Sequence, residues 1–183
     1  AVWIAIHLPL TVFLGLFFAI ILKDVKGASI IKSIVFLGMV MPMVVGGLMA
    51  KFLFDKDIGI VNVVLRFIGL HSLADISWTY HPETALLATI LIGVWMWTGF
   101  SMIVYSAALA AIPREYYEAA EIDGASSFRK FIHITLPLLK PATLVVVVMT
   151  VLWELKIFDI VYVATGGGPG EASMVLAILM YIK

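Results

Sequence analysis

The residues able to do chemistry fall into two groups. The first is a charged stretch from Ile112 to Lys140 that holds Arg114, Glu115, Glu118, Glu121, Asp123, Arg129, Lys130 and Lys140, with a single histidine, His133. Hydrolysis or group transfer there would need a nucleophile beside a base, or clustered metal ligands. Glu118, Asp123 and His133 form neither, and no glycine-rich phosphate cradle accompanies them. A charged surface without catalytic equipment reads as a docking surface. The second group, Glu154, Lys156 and Asp159, lies inside an apolar run. An ionisable group in hydrocarbon costs at least ~2.5 kcal/mol even on insertion scales, and marks a ligand pathway, a proton relay or a buried pair. His7, His71, His81 and His133 are scattered without ligand spacing, so neither a metal site nor a cofactor is expected in this chain.

Long apolar elements must position both groups. Of 183 residues, 63% are hydrophobic and 13% charged, and the mean hydropathy is +1.11. A soluble domain is about half apolar and a quarter charged, so this chain belongs in a bilayer. Zero formal net charge argues against nucleic acid as a partner, and the absence of cysteine rules out disulfides and thiolate metal sites. Four segments are long enough to cross roughly 30 Å of hydrocarbon at about 1.5 Å per residue. They are residues 1–22, 30–54, 84–112 and 141–163. Residues 173–183 are too few to count as a span; they either open a further span or form a surface helix. The chain starts without methionine and ends in an apolar run, so it is read as an internal piece of a longer protein, with flanking spans missing. The first block has no basic leader or small-residue cleavage site and is not a signal peptide.

Lysine and arginine set the orientation. Lys23, Lys26 and Lys32, with Arg114, Arg129, Lys130 and Lys140, fall on one side; Lys56 and Arg66 fall on the other. The positive-inside rule makes the first side cytoplasmic, including the loop 113–140. On the outer side, Ile60, Val61, Val64, Leu65 and Ile68 recur at helical spacing between Gly59 and Gly69, which predicts an amphipathic helix along the interface. Trp78 and Tyr80 are expected at headgroup level.

The charged loop itself reads as two short helices. Pro113 suits a first helical position, and Glu115 favours the helix dipole. Gly124 supplies a stop, and Ser126 or Ser127 caps the second piece. Phe128, Phe131, Ile132 and Thr135 are expected on one face, with Pro137 and Pro141 ending the piece. Ala119 and Ala120 keep the first helix thin enough for another backbone to approach.

The string Glu118-Ala119-Ala120, then Gly124, then Ile134-x-Leu136-Pro137 resembles the signature loop of permease subunits in binding-protein-dependent ABC importers. The wider run from Ile112-Pro113 through Tyr116-Tyr117 to Asp123-Gly124-Ala125 is similar to the sugar branch, the maltose and glycerol-phosphate type. Phe158-Asp159-x-Val161-Tyr162-x-x-Thr165-x-Gly167-Gly168-Pro169 and Leu53-Phe54-Asp55 with Gly59-Ile60-Val61-Asn62 agree. The resemblance implies an all-α membrane protein, a polytopic transmembrane helix bundle of the type I ABC importer permease kind. Residues 1–183 would be part of its permease domain, in the inner (cell) membrane of a prokaryote. It implies that Glu118, Ala119, Ala120, Asp123 and Gly124 couple the chain to an ATP-binding cassette ATPase dimer, which holds ATP and Mg²⁺. It also implies a second permease, usually a different one, and an extracytoplasmic solute-binding protein that delivers a sugar.

For the pathway, Thr150, Glu154 and Ile157 share one helical face, bordered by Trp153, and Trp97, Phe100 and Ser101 form a comparable stripe one turn after Gly93. Counting from Pro141, Glu154 lies about 20 Å and Asp159 about 27 Å along a continuous helix. Sugars are held by aromatic faces and a few hydrogen bonds, so these faces suit a wet pathway. Otherwise Glu154 pairs with a neighbouring helix or subunit and the aromatics only pack. Met39, Met41, Met43 and Met49 read as gap fillers near Gly46-Gly47, which permits close helix approach. Two other classes stay open: an ion- or proton-coupled transporter with Glu154 and Asp159 as a relay, and a membrane enzyme.

Overall fold

A computed structural model describes residues 1–23 and 25–183. Its helices, in chain order, are α1 (Val2–Ile21), α2 (Ala28–Val40), α3 (Met43–Leu53), α4 (Ile60–Phe67), α5 (His71–Ala74), α6 (Ala85–Ala110), α7 (Arg114–Ile122), α8 (Ser127–Lys130), α9 (Leu136–Leu138), α10 (Lys140–Glu154), α11 (Asp159–Thr165) and α12 (Leu176–Ile182). No strand occurs among the described residues.

The central post is α6, which runs unbroken and buries residues on most of its sides. Against it lies α1, whose buried residues Trp3, His7, Thr11, Gly15 and Ala19 recur every fourth position and shrink from Trp3 to Gly15. Gly15 is needed at that contact, because a Cβ there would collide with Ser101 Oγ of α6. Two apolar clusters form along this axis. One surrounds Trp3, Trp78, Met96, Ile160 and Ile178; the other surrounds Leu22, Val35, Tyr105, Leu139 and Val146. Large apolar side chains such as Phe13, Ile34, Phe52 and Leu144 remain exposed, as a bilayer-facing surface requires.

Two expected spans are not single helices. Residues 30–54 divide into α2 and α3, which meet at 109°. The cause is Pro42: it brings no N–H, and it holds Met41 extended at φ −75°, ψ 139°. Residues 141–163 divide into α10 and α11 around a break at 155–158. No proline or glycine lies in that break. The two sides are instead held separately, α10 at Glu154 against α1, and α11 against α3. Gly47 makes the second contact possible, since a Cβ there would stand 2.9 Å from Ile160 O and 2.7 Å from Val163 Cβ. Asp159 thus begins α11, exposed, and does not continue the α10 face.

The connection between α3 and α6 contains the expected α4. Its Val61 and Leu65 pack on the core while Ile60, Val64 and Ile68 stay exposed. Trp78, expected at headgroup level, turns its ring into the protein. It is buried against Phe54, ring centroids 5.2 Å apart, and its Nε1 donates to Leu73 O at 2.9 Å. That bond gives the one polar atom of the buried indole the partner it needs. Residues 176–182 form α12, which puts Ile178 into the core and Tyr181 against Phe158 and Tyr162.

Candidate functional site

The charged loop folds as an elbow. Pro113 precedes α7 with ψ 135°, one position earlier than its sequence suggests. At the other end Gly124 takes φ +72°. The Gly124 N–H donates to Glu121 O at 3.0 Å and the Ala125 N–H to Ala120 O at 2.9 Å. Those two bonds are the Schellman pattern, which needs a left-handed residue between them. Ser126 then caps α8, its Oγ accepting from the Arg129 N–H at 3.4 Å.

Three contacts brace the elbow. Lys130 Nζ donates to Glu121 Oε1 at 2.6 Å and ties α8 to α7. Tyr117 OH and Thr135 Oγ1 share a 2.9 Å hydrogen bond. Lys23 Nζ lies 5.7 Å from the Tyr117 ring centroid, linking the elbow to the end of α1. Glu118, Ala119, Asp123 and Gly124 are exposed, and Ala120 is half-buried. Beside them Ile122 and Phe128 are 88% and 75% exposed. The sequence reading gave these two no docking role; an apolar side chain at the rim of a charged loop was the available signal.

The expected single face of α8 is divided. Residues Phe131–Thr135 form a π-helical turn, so Thr135 is buried while Phe128 and Ile132 are exposed. Pro137 does not end the piece. The wide turn before it absorbs the missing N–H. Helix continues to Leu138 and bends by 58° into α10.

At the far end of α10 lies the second site. Glu154 Oε1 and His7 Nδ1 share a hydrogen bond of 2.6 Å, with both side chains 2% exposed. His7 carried no role in the sequence reading, a reading the structure corrects. The usable signal was the cost of an ionisable group in each of two spans, which one contact relieves. Trp153 receives the edges of Trp97 and Phe100, at centroid distances of 5.2 Å and 4.9 Å. Those three rings and Met39, Met41 and Met43 line a cavity of about 350 Å³ at the α2–α3 bend. The methionines are therefore part of a chamber wall as well as filler. A second cavity, of about 380 Å³, lies between the start of α1, Glu154, Ile157 and residues 172–177. His7, Trp97, Trp153, Glu154 and Ile157 enclose a narrow crevice that shares walls with both.

Of the six expected pathway residues, the structure brings Trp97, Phe100, Glu154 and Ile157 to these cavities. Ile157 arrives from the break rather than from the α10 face. Thr150 and Ser101 are fully buried and line neither cavity; Ser101 faces Gly15 of α1. Asp159 stands exposed while Glu154 closes on His7, an arrangement that gives the ion-relay alternative no support.

Long apolar helices, one span bent at Pro42, another broken beside the buried His7–Glu154 pair, and a braced elbow at one end define a helical membrane protein of the permease class of fold. Residues 11–182 match the inner membrane component of binding-protein-dependent transport systems, and the chain belongs to that family. A "probable ABC transporter permease protein" of Pyrococcus horikoshii is 63% identical over 98% of this chain and 62% of its own length. The trehalose/maltose transport system permease protein of Thermococcus litoralis is 36% identical over 96% of this chain and 59% of its own. The lactose transport system permease protein of Rhizobium radiobacter is 34% identical, over 99% and 61%. The chain thus spans about three fifths of the length of these relatives. Among solved structures, a bacterial ABC transporter involved in import of the acidic polysaccharide alginate superposes with a TM-score of 0.67 at 25% identity, covering 97% of this chain and 61% of that one. A second structure of an alginate transporter, in complex with a pentasaccharide-bound periplasmic protein, shares the fold with a TM-score of 0.69 at 24% identity, covering 92% and 57%.

Proposed function

We propose that this chain is the membrane-spanning part of an ATP-driven importer that carries a sugar or related polyol handed over by an extracytoplasmic solute-binding protein. The observation that carries the reading is the braced elbow, joined to the cavity wall by one bent run of helix from Ser127 to Glu154. Movement imposed on the elbow reaches Glu154 through backbone alone. Relatives named for trehalose/maltose and lactose systems support a sugar as cargo.

In this reading the protein crosses the inner (cell) membrane of a prokaryote several times, with the elbow in the cytosol. Glu118, Ala119, Ala120, Asp123 and Gly124 seat in a groove of a cassette ATPase dimer, and Ile122 and Phe128 supply apolar anchors beside them. ATP and Mg²⁺ act on that dimer, and this chain holds no cofactor. A second, different permease completes the pathway. Trp97, Phe100, Glu154 and Ile157 are this subunit's share of its wall, and Thr150 and Ser101 lie behind it.

The test is uptake into proteoliposomes holding the full-length permease, its partner permease, the ATPase and the binding protein. Sugar uptake is expected only with ATP inside the vesicle, on the elbow side, and the binding protein outside, and is expected to vanish when the ATPase is omitted. Uptake driven by an ion gradient without the ATPase would refute the assignment.

A further inference from the structure

His7 is held on three sides. Its ring stacks on Trp3 at 5.8 Å and 27°, and meets the edge of Trp97 at 6.1 Å and 73°. On the third side a Cβ at Gly93 would come within 3.2 Å of the imidazole, tighter than an ordinary contact, so a side chain there would press on the ring. A ring clamped in this way presents Nδ1 in one direction, toward Glu154 Oε1 at 2.6 Å. The other carboxylate oxygen, Oε2, is buried and has no hydrogen-bond partner in the protein. A buried carboxylate oxygen left unpaired is costly, so Oε2, closed off in this conformation, is an acceptor that a cargo hydroxyl can satisfy when the wall around Glu154 opens. Glu154 is also the last residue of α10 and part of the wall of the cavity near α12.

We propose that His7 is a positioning residue for transport: it fixes which Glu154 oxygen is used internally and leaves the other to accept a hydroxyl or amine proton from the cargo. The inference rests on the reading that this wall carries a sugar. It adds a substrate class. Neither the cavity nor the crevice that Glu154 lines has a lysine or arginine among its described lining residues. The wall therefore favours neutral or amino-bearing polyols and repels carboxylated ones.

The experiment uses the complete importer in proteoliposomes with maltose, trehalose and lactose as probes, scaled to assembled complex. In His7→Asn the amide nitrogen falls close to the position of Nδ1, whereas His7→Leu has no donor. His7→Asn is expected to keep the wild-type ranking of the three sugars within about twofold. His7→Leu is expected to change the uptake ratio between the best and worst sugar by about fivefold or more, because the carboxylate is free to turn. A purely structural histidine gives a different result: His7→Leu then lowers all three sugars by one common factor, the factor by which assembled complex falls, and the proposal is overturned while sugar import stands. Wild-type importer that moves none of the three sugars overturns the sugar reading and this inference with it.

Discussion

Gly124 gives the sharpest test of the elbow. Its φ of +72° lies in the left-handed region, and a Cβ there would meet nothing within 4 Å. The cost of a side chain is therefore all backbone, about 1–2 kcal/mol for an ordinary L-residue. That range corresponds to a factor of about 5–30 in the local equilibrium between the elbow and other loop conformations. Asparagine tolerates the left-handed region, so Gly124→Asn is expected to transport nearly as wild type, and Gly124→Ala to lose at most about that 5–30-fold factor. Gly124→Pro is a different perturbation. It forces φ to about −65° and deletes the N–H that donates to Glu121 O at 3.0 Å, so the Schellman pattern cannot form. Because the elbow lies outside the long apolar helices, the proline variant is expected to insert normally and to import nothing. The assay is ATP-driven uptake, with membrane abundance measured by immunoblot for all variants. A proline variant that imports at the wild-type rate at equal abundance would refute the coupling argument.

Topology and pathway supply the remaining predictions. Cysteines at Ser127 and Tyr80, both exposed and at opposite ends of the bundle, are expected to label from opposite sides of the membrane, Ser127 from the cytosol. Ser173 would be a poor probe, because its hydroxyl is buried and donates to Gly168 O at 2.7 Å. Labelling of Ser127 and Tyr80 from the same side would overturn the orientation. At the wall, Glu154→Gln keeps a hydrogen-bonding side chain and is expected to retain much of the uptake, whereas Glu154→Leu leaves His7 unpaired and is expected to lose tenfold or more, about 1.4 kcal/mol. Equal damage from Gln and Leu, at equal abundance, would favour a proton relay. A disaccharide of uronic acids is expected to be imported at least about tenfold more slowly than its neutral counterpart, given a wall with a carboxylate and no lysine or arginine among its described lining residues. Equal rates would remove Glu154 from the selective wall.

Much of the elbow was legible because its signals are local. Gly124, Ser126 and the alternation of charged and small residues act within a few positions, and the backbone bonds they predict are present. Pro137 misled because its effect depends on the preceding turn: a π-helical turn over Phe131–Thr135 lets the helix pass through. Pro42 was a plain breaker inside an apolar run, yet hydropathy averaged over residues 30–54 smooths such a bend away. The break after Glu154 had no local signal at all, since its cause is contacts with α1 and α3. His7 was missed for the same reason. Its partner lies in a distant helix, and spacing along one chain does not report contacts across a bundle. Ser101 shows the limit from the other side: a helical stripe groups it with Trp97 and Phe100, but Gly15 of α1 draws it to a different neighbour.

The packing of α3 on α11 also sets a timetable for biogenesis. Gly47 and Ile160 touch across a separation of about a hundred residues. When α3 leaves the ribosome, the surface that later holds it at 109° to α2 does not yet exist. At about 5–20 residues per second, synthesis of the intervening chain occupies on the order of ten seconds. Through that interval the bend that Pro42 sets between α2 and α3 stands without the α11 surface that later packs on it. The chamber at the bend is completed only by Trp153 of α10 and braced by α11, so a ribosome stalled before residue 153 leaves a protein with its early helices made and its α2–α3 chamber open on one side.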